Sequence, residues 1–80
     1  MSHELRYTVR QIVTKVGPKR LCKMLGIGKW AYAKWYDLGI PGRHWAKLVA
    51  WSKTQDEHWL TYEVLEDATA IALRRYRRAA

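Results

Sequence analysis

Basic and aromatic side chains are interleaved in the stretch KRLCKMLGIGKWAYAKWYDLG, which covers residues 19–39 of the 80-residue chain. Lysine and arginine form charge-assisted hydrogen bonds with phosphates, and aromatic rings pack on sugars or bases. A helix that only fills a small core does not need this mixture. The stretch therefore favours a surface that binds a polyanion, and the alternative is a solvated basic face whose lysines lie over aromatic rings.

The positive charge of the chain is concentrated in its first two-thirds. The formal net charge is +8, and residues 1–53 carry 11 lysines and arginines against two acids, Glu4 and Asp37. Residues 54–73 hold five acids and no base, and the last seven residues add four arginines. A concentrated cation favours a polyanion partner through Coulomb attraction and counterion release.

Catalytic and metal-binding chemistry has little support in the sequence. Cys22 is the single cysteine, so no intrachain disulfide is possible, and we expect it to be a small buried spacer in a reducing compartment. The histidines His3, His44 and His58 lack ligand spacing, so we expect no metal or other cofactor. No nucleophile, base and orienting group can be assembled, so we do not expect an enzyme. No apolar run approaches the roughly 18 residues that span a bilayer, so we expect a cytoplasmic protein without membrane contact.

The spacing of apolar residues predicts an all-α, compact domain of four to five helices. The first two helices are expected at about residues 3–16 and 18–25, the third at 28–38, a fourth from about 43, and the fifth at about 61–77. Ser2 is placed to cap the first helix and Gly17 to end it, while Thr61 or the segment TQDE at 54–57 could cap the fifth. We expect a single domain overall, in which residues 1–53 form the core that would bind a partner. We expect residues 54–80 to form a C-terminal helix with a basic tail that packs on this core or dimerises.

Two short helices joined by a glycine turn form a helix-turn-helix unit, here residues 18–37. Gly26 permits the positive φ that the bend needs. We expect Ile27, Tyr32 and Trp35 to anchor the second helix of the unit to the core. The residues left on its outward face, available to a major groove, are Gly28, Lys29, Trp30, Ala33 and Lys34.

Two motifs carry a resemblance to a known family. LCKMLGIGKWAYAKW resembles the pattern of the phage Cro and repressor class of helix-turn-helix regulators: an apolar residue, a small residue, a leucine-glycine-apolar turn, and an apolar pair that ends in tryptophan. GIPGRHW is similar to the segment that follows the recognition helix in several small members. The resemblance covers about residues 9–51.

The resemblance implies where phosphates would be contacted. Lys19 and Arg20, at the start of the second helix, would meet the phosphate backbone with help from the positive end of the helix dipole. Arg43 and His44, at the start of the fourth helix, would hold the next phosphates.

The resemblance also implies base contacts and a function. Lys29 and Lys34 would reach guanine edges or phosphates, and Trp30 would pack on a thymine methyl group or a sugar. The expected protein is a sequence-specific regulator of transcription that binds double-stranded DNA in the cytoplasm, associated with the nucleoid. We expect a repressor of phage or bacterial type that binds two half-sites as a homodimer.

Several alternatives stay open from sequence alone. The chain could be an antitoxin or an adaptor that contacts RNA polymerase with its acidic fifth helix, or it could bind RNA through its aromatic basic face. The basic tail RRYRR, residues 74–78, is either a phosphate-binding arm or a disordered end. Trp51 or Trp59 could mark a subunit contact. An apolar stripe on the fifth helix is either a dimer surface or core: Leu60, Val64, Leu65, Ala68 and Ile71.

Overall fold

The computed structural model describes residues 7–55 and 58–79, and every regular element within these ranges is helical. The α-helices are α1 (Val9–Val16), α2 (Pro18–Leu25), α3 (Lys29–Leu38), α4 (Trp45–Lys53) and α5 (Tyr62–Ala79), with a 3₁₀ turn at Gly42–His44 before α4. The predicted all-α class and the predicted number of helices are confirmed. None of the helices in the described ranges is long and apolar enough to cross a membrane.

Helix α1 begins later than predicted. Thr8 is extended and forms a capping box: its hydroxyl accepts from the Gln11 backbone N–H at 3.2 Å, and its own N–H donates to the Gln11 side chain at 2.9 Å. This reciprocal pair satisfies two backbone donors and fixes the helix start at Val9. The predicted start near residue 3 is therefore wrong at Tyr7 and Thr8, and the predicted cap Ser2 lies outside the described residues.

The joint between α1 and α2 lies at the predicted residues, although Gly17, with a ψ of 121°, is outside the left-handed helical conformation. Gly17 has a φ of 99° and donates its N–H to the Val13 carbonyl, while Pro18 occupies the first turn of α2. Proline loses no hydrogen bond at this position, because the first N–H groups of a helix have no partner within the helix. The two helices are thus separated by a single residue.

The core collects apolar residues from all five helices and from two loops. Helix α5 packs against α1, α3 and α4. Leu60, Leu65 and Ala68 are fully buried in this core, so most of the stripe that was a candidate dimer surface is intramolecular core. The buried apolar residues of the first four helices include Ile12, Val13, Leu21, Trp35, Leu48 and Val49.

The loop after α3 attaches that helix to both α4 and α5. Gly39 has a φ of 83°, and a Cβ there would lie 3.0 Å from the Thr69 Cα and closer still to its side chain. The Ile40 N–H donates to the Thr69 hydroxyl at 3.3 Å, and the Trp45 indole N–H donates to the Ile40 carbonyl at 2.8 Å. The GIPGRHW segment therefore fixes the C-terminal end of α3 against the rest of the fold.

Each end of α5 resolves one of the alternatives that the sequence left open. The Thr61 hydroxyl accepts from the Val64 N–H at 3.2 Å, and residues 58–60 are not helical, so Thr61 caps the helix. At the other end, α5 continues to Ala79 and includes the arginines of residues 74–78. The basic tail is therefore the last part of a helix, and the alternative of a disordered end is wrong.

Candidate nucleic-acid interface

The bend between α2 and α3 has the left-handed geometry that the sequence predicts. Gly26 has φ 66° and ψ 36°, and the N–H groups of Gly26 and Ile27 both point to the Cys22 carbonyl. No heavy atom would lie within 4 Å of a Cβ at Gly26, so glycine is needed here for its positive φ and not for space. Gly28 is extended and precedes the first residue of α3.

Helix α3 turns its predicted face outward. Lys29, Trp30 and Lys34 are exposed, and the Trp30 side chain keeps 82% of its surface accessible. Ala33 is partly buried, and Trp35 on the opposite side is only 4% exposed. A tryptophan as exposed as Trp30 contributes little to a core. The predicted anchors of α3 are less uniform, since Ile27 and Tyr32 pack on the core while only partly buried.

A groove with a volume of about 500 Å³ lies between α2 and α3, and we call it the lysine groove. Its cationic side chains are Lys19, Lys23 and Lys29, and it is also lined by Cys22 and Tyr32. Cys22 is partly exposed, so the prediction of a buried spacer is wrong. Lys23 was not predicted as a contact, although it follows Lys19 by four residues and so lies on the same side of a helix.

The two cations at the start of α2 face different surroundings. Lys19 lines the lysine groove, whereas the Arg20 guanidinium carbon lies 5.7 Å from the centre of the Trp51 ring on α4. A cation over an aromatic ring is stabilised by the ring quadrupole. The resemblance implies the same phosphate role for Lys19 and Arg20, and the structure places the two side chains in different surroundings.

Arg20 belongs to an aromatic cluster formed by Tyr7, Trp51 and Trp59. The Tyr7 and Trp59 ring centroids are 5.1 Å apart, and those of Trp51 and Trp59 are 6.3 Å apart in an edge-to-face arrangement. The Lys15 ammonium lies 4.9 Å from the Trp59 ring centre and 5.5 Å from that of Tyr7. These rings join the segment before α1, the end of α4 and the segment before α5.

Arg43 and His44 differ in exposure at the turn before α4. Arg43 is exposed, whereas the His44 ring is partly buried with its centroid 5.5 Å from that of Trp35. Burial lowers the pKa of His44, and the positive charges of Arg43 and Lys47 lower it further. His44 is therefore uncharged near neutral pH, where only Arg43 offers this turn a permanent charge for a phosphate.

Comparison of the chain with protein-family models, with curated proteins and with solved structures finds no match. Among the described residues, no group of three or more histidine, cysteine or acidic side chains is arranged to hold a metal ion. The arrangement can offer hydrogen-bond donors and positive charge to an anionic partner. The donors are the cationic side chains that line the lysine groove and those on the exposed face of α3.

Proposed function

We propose that the chain binds double-stranded DNA through α2 and α3 and regulates transcription, as a repressor of phage or bacterial type associated with the nucleoid. The observation that supports this most is the outward face of α3 beside the lysine groove. The left-handed bend at Gly26 leaves Lys29, Trp30 and Lys34 exposed on one helix, and Lys19 and Lys23 lie beside them. Exposed cations next to a helix that can enter a groove suit duplex recognition.

Affinity and specificity come from different side chains in this proposal. The lysine groove and Arg43 supply phosphate contacts, which set position and salt dependence. Lys34 and Trp30 supply contacts to base edges, because their side chains extend from the exposed face of α3. The pKa of the His44 ring is lowered in the free protein, so the ring is mostly uncharged near neutral pH. His44 therefore adds a positive charge for a phosphate mainly at lower pH.

A homodimer remains part of the proposal, because one recognition helix contacts few base pairs. Most of the apolar stripe is not available for that contact, since Leu60, just before α5, and Leu65 and Ala68 within it are fully buried in the chain. A dimer would therefore form through another surface, or two copies would meet only on DNA.

The testing experiment is the recovery and sequencing of DNA that the purified protein binds from a random pool. We expect an enriched motif with two half-sites about one helical turn apart, and a shifted motif for Lys34→Ala. Lys53→Gln is the matched control, because Lys53 is an exposed cation at the far end of α4. Weak binding to every duplex without enrichment would leave the adaptor or antitoxin alternative, and preference for single strands would favour RNA binding.

A further inference from the structure

A second concave surface lies where the start of α1, the end of α3 and the second half of α5 meet. This arginine cleft has a volume of about 360 Å³. Its floor is apolar, with Val9, Ala68 and Ala72 buried beneath it. Its rim carries Arg10 from α1 and Arg75 from α5, two cations from different helices that face one cleft.

The Arg10 side chain is held in position by an aromatic ring. Its guanidinium carbon lies 4.3 Å from the centre of the Tyr36 ring on α3. A guanidinium carries five N–H donors, so a ring beside it leaves donors available to a phosphate. The contact with the ring also reduces the side-chain entropy lost on binding. Asp37 is the one carboxylate that lines the cleft.

The arginine cleft and the lysine groove lie along the same side of α3. Lys29 and Tyr32 line the groove, and Tyr36 lines the cleft. Positions 29, 32 and 36 share one helix face, and the Tyr32 and Tyr36 ring centroids are 6.4 Å apart in an edge-to-face contact. Seven residues of α-helix rise about 10 Å, so the groove and the cleft are far enough apart to contact different phosphates of one strand, whose spacing along the duplex axis is about 3.4 Å.

We infer that one phosphodiester strand of the duplex lies along this side of α3, in the lysine groove at one end and in the arginine cleft at the other. Lys19, Lys23 and Lys29 bind its phosphates at the first end. Arg10 and Arg75 bind them at the second. This inference rests on the proposed duplex binding and extends it from the helix-turn-helix to α1 and to the basic end of α5.

The experiment measures the dependence of the binding constant on salt for the enriched duplex. Arg10→Gln and Arg75→Gln should each reduce the slope of log K against log salt by about 0.9, the change per phosphate contact on duplex DNA. The slope of the double variant should be reduced by about twice that amount. Arg10→Lys, which keeps the charge, should retain most of the slope, and Lys53→Gln should leave it unchanged.

Hydroxyl-radical footprinting adds a positional readout. The wild-type protein should protect a continuous run of backbone on one strand, and Arg75→Gln should shorten that run at one end only. Arg75 is exposed, so this variant keeps the test valid even where Arg10→Gln impairs folding.

Three outcomes separate the inference from the proposed function. Unchanged slopes for both arginine variants, with a reduced slope for Lys19→Ala, would overturn the inference and leave duplex binding intact. Equal losses for Lys53→Gln and Arg75→Gln would also overturn it, because the effect would then reflect net charge alone. Absence of duplex binding by the wild-type protein would remove both.

Discussion

Two cationic regions of the molecule place the same kind of charge in opposite surroundings. In the lysine groove, Lys19 and Lys23 line an open concavity beside the exposed face of α3. In the aromatic cluster, the charged groups of Lys15 and Arg20 lie over aromatic rings. The first region leaves its charges to a partner, and the second uses them within the fold.

The difference shows that net charge does not locate a binding surface in a small basic domain. A cation over a ring gains roughly 0.5–1 kcal/mol at an exposed site, so removing it costs stability. Arg10 has such a contact too, but it also lines an open cleft, where its donors can reach a partner. A lysine in an open groove has no such gain within the fold. We therefore expect the aromatic cluster to control stability and the lysine groove to control binding.

The largest expected effect comes from removing a ring of the aromatic cluster. Trp59→Ala should lower the free energy of unfolding by about 3 kcal/mol, the low end for tryptophan truncation, because Trp59 is only partly buried. Trp30→Ala is the matched control: at 82% exposure, its loss should change stability by no more than about 0.5 kcal/mol but weaken DNA binding. Urea denaturation of both variants measures this, and equal destabilisation would contradict the comparison.

The next effect concerns the bend that creates the lysine groove. Gly26→Val should lower the free energy of unfolding by about 2–3 kcal/mol, because a β-branched residue resists the φ of 66° found there. Gly26→Asn should cost less, since asparagine tolerates the left-handed region better. Thermal unfolding compares the two. Retained stability in Gly26→Val would show that the bend does not depend on a left-handed residue.

Much of the helical framework could be predicted from local signals. The apolar spacing, the Gly17-Pro18 joint and the turn at Gly26 predict α2 and α3 almost to the residue. These features depend on backbone conformation and on nearest neighbours along the chain, which a sequence displays directly. The start of α1 differs from the prediction because the sequence offers Ser2 as a cap earlier in the chain, whereas Thr8 and Gln11 form the capping box.

The site was less predictable, because it depends on neighbours distant in sequence. Nothing local to Arg20 indicates that Trp51 lies beside it, and nothing local to Arg10 indicates Tyr36. Likewise, the apolar stripe of α5 looks the same whether it covers its own core or a second copy. Lys23 is the exception, since its four-residue separation from Lys19 already places the two lysines on one side of α2.

Smaller effects are expected from the three cations of α2, which should differ in what they do for DNA binding and for stability. Lys19→Ala and Lys23→Ala should each lower the salt slope of DNA binding by about 0.9, with little change in stability. Arg20→Ala should lower the free energy of unfolding by about 0.5–1 kcal/mol through loss of its contact with Trp51, and should change the slope less. Equal slopes for Lys19→Ala and Arg20→Ala would return both residues to the phosphate role that the sequence implied.

The smallest effect is the pH dependence that comes from His44. The pKa of the folded His44 lies below its ordinary value of 6.5, so as the pH falls below 6.5 the unfolded chain takes up a proton more readily than the folded one. Its contribution to stability is therefore present above pH 6.5 and is lost as the pH falls toward the lowered folded pKa. The free energy of unfolding of wild type and of His44→Gln is measured by denaturation from pH 7.5 to 5. The difference between the two proteins separates the contribution of His44 from that of the titrating carboxylates.

A bound phosphate would act on His44 in the opposite direction, because a neighbouring negative charge raises the pKa of an imidazole. DNA binding by the wild-type protein should then strengthen as the pH falls through this range, while binding by His44→Gln should change less. If the two proteins show the same pH dependence of binding, then His44 packs on Trp35 without contacting a phosphate, and Arg43 alone remains as the candidate contact at the start of α4.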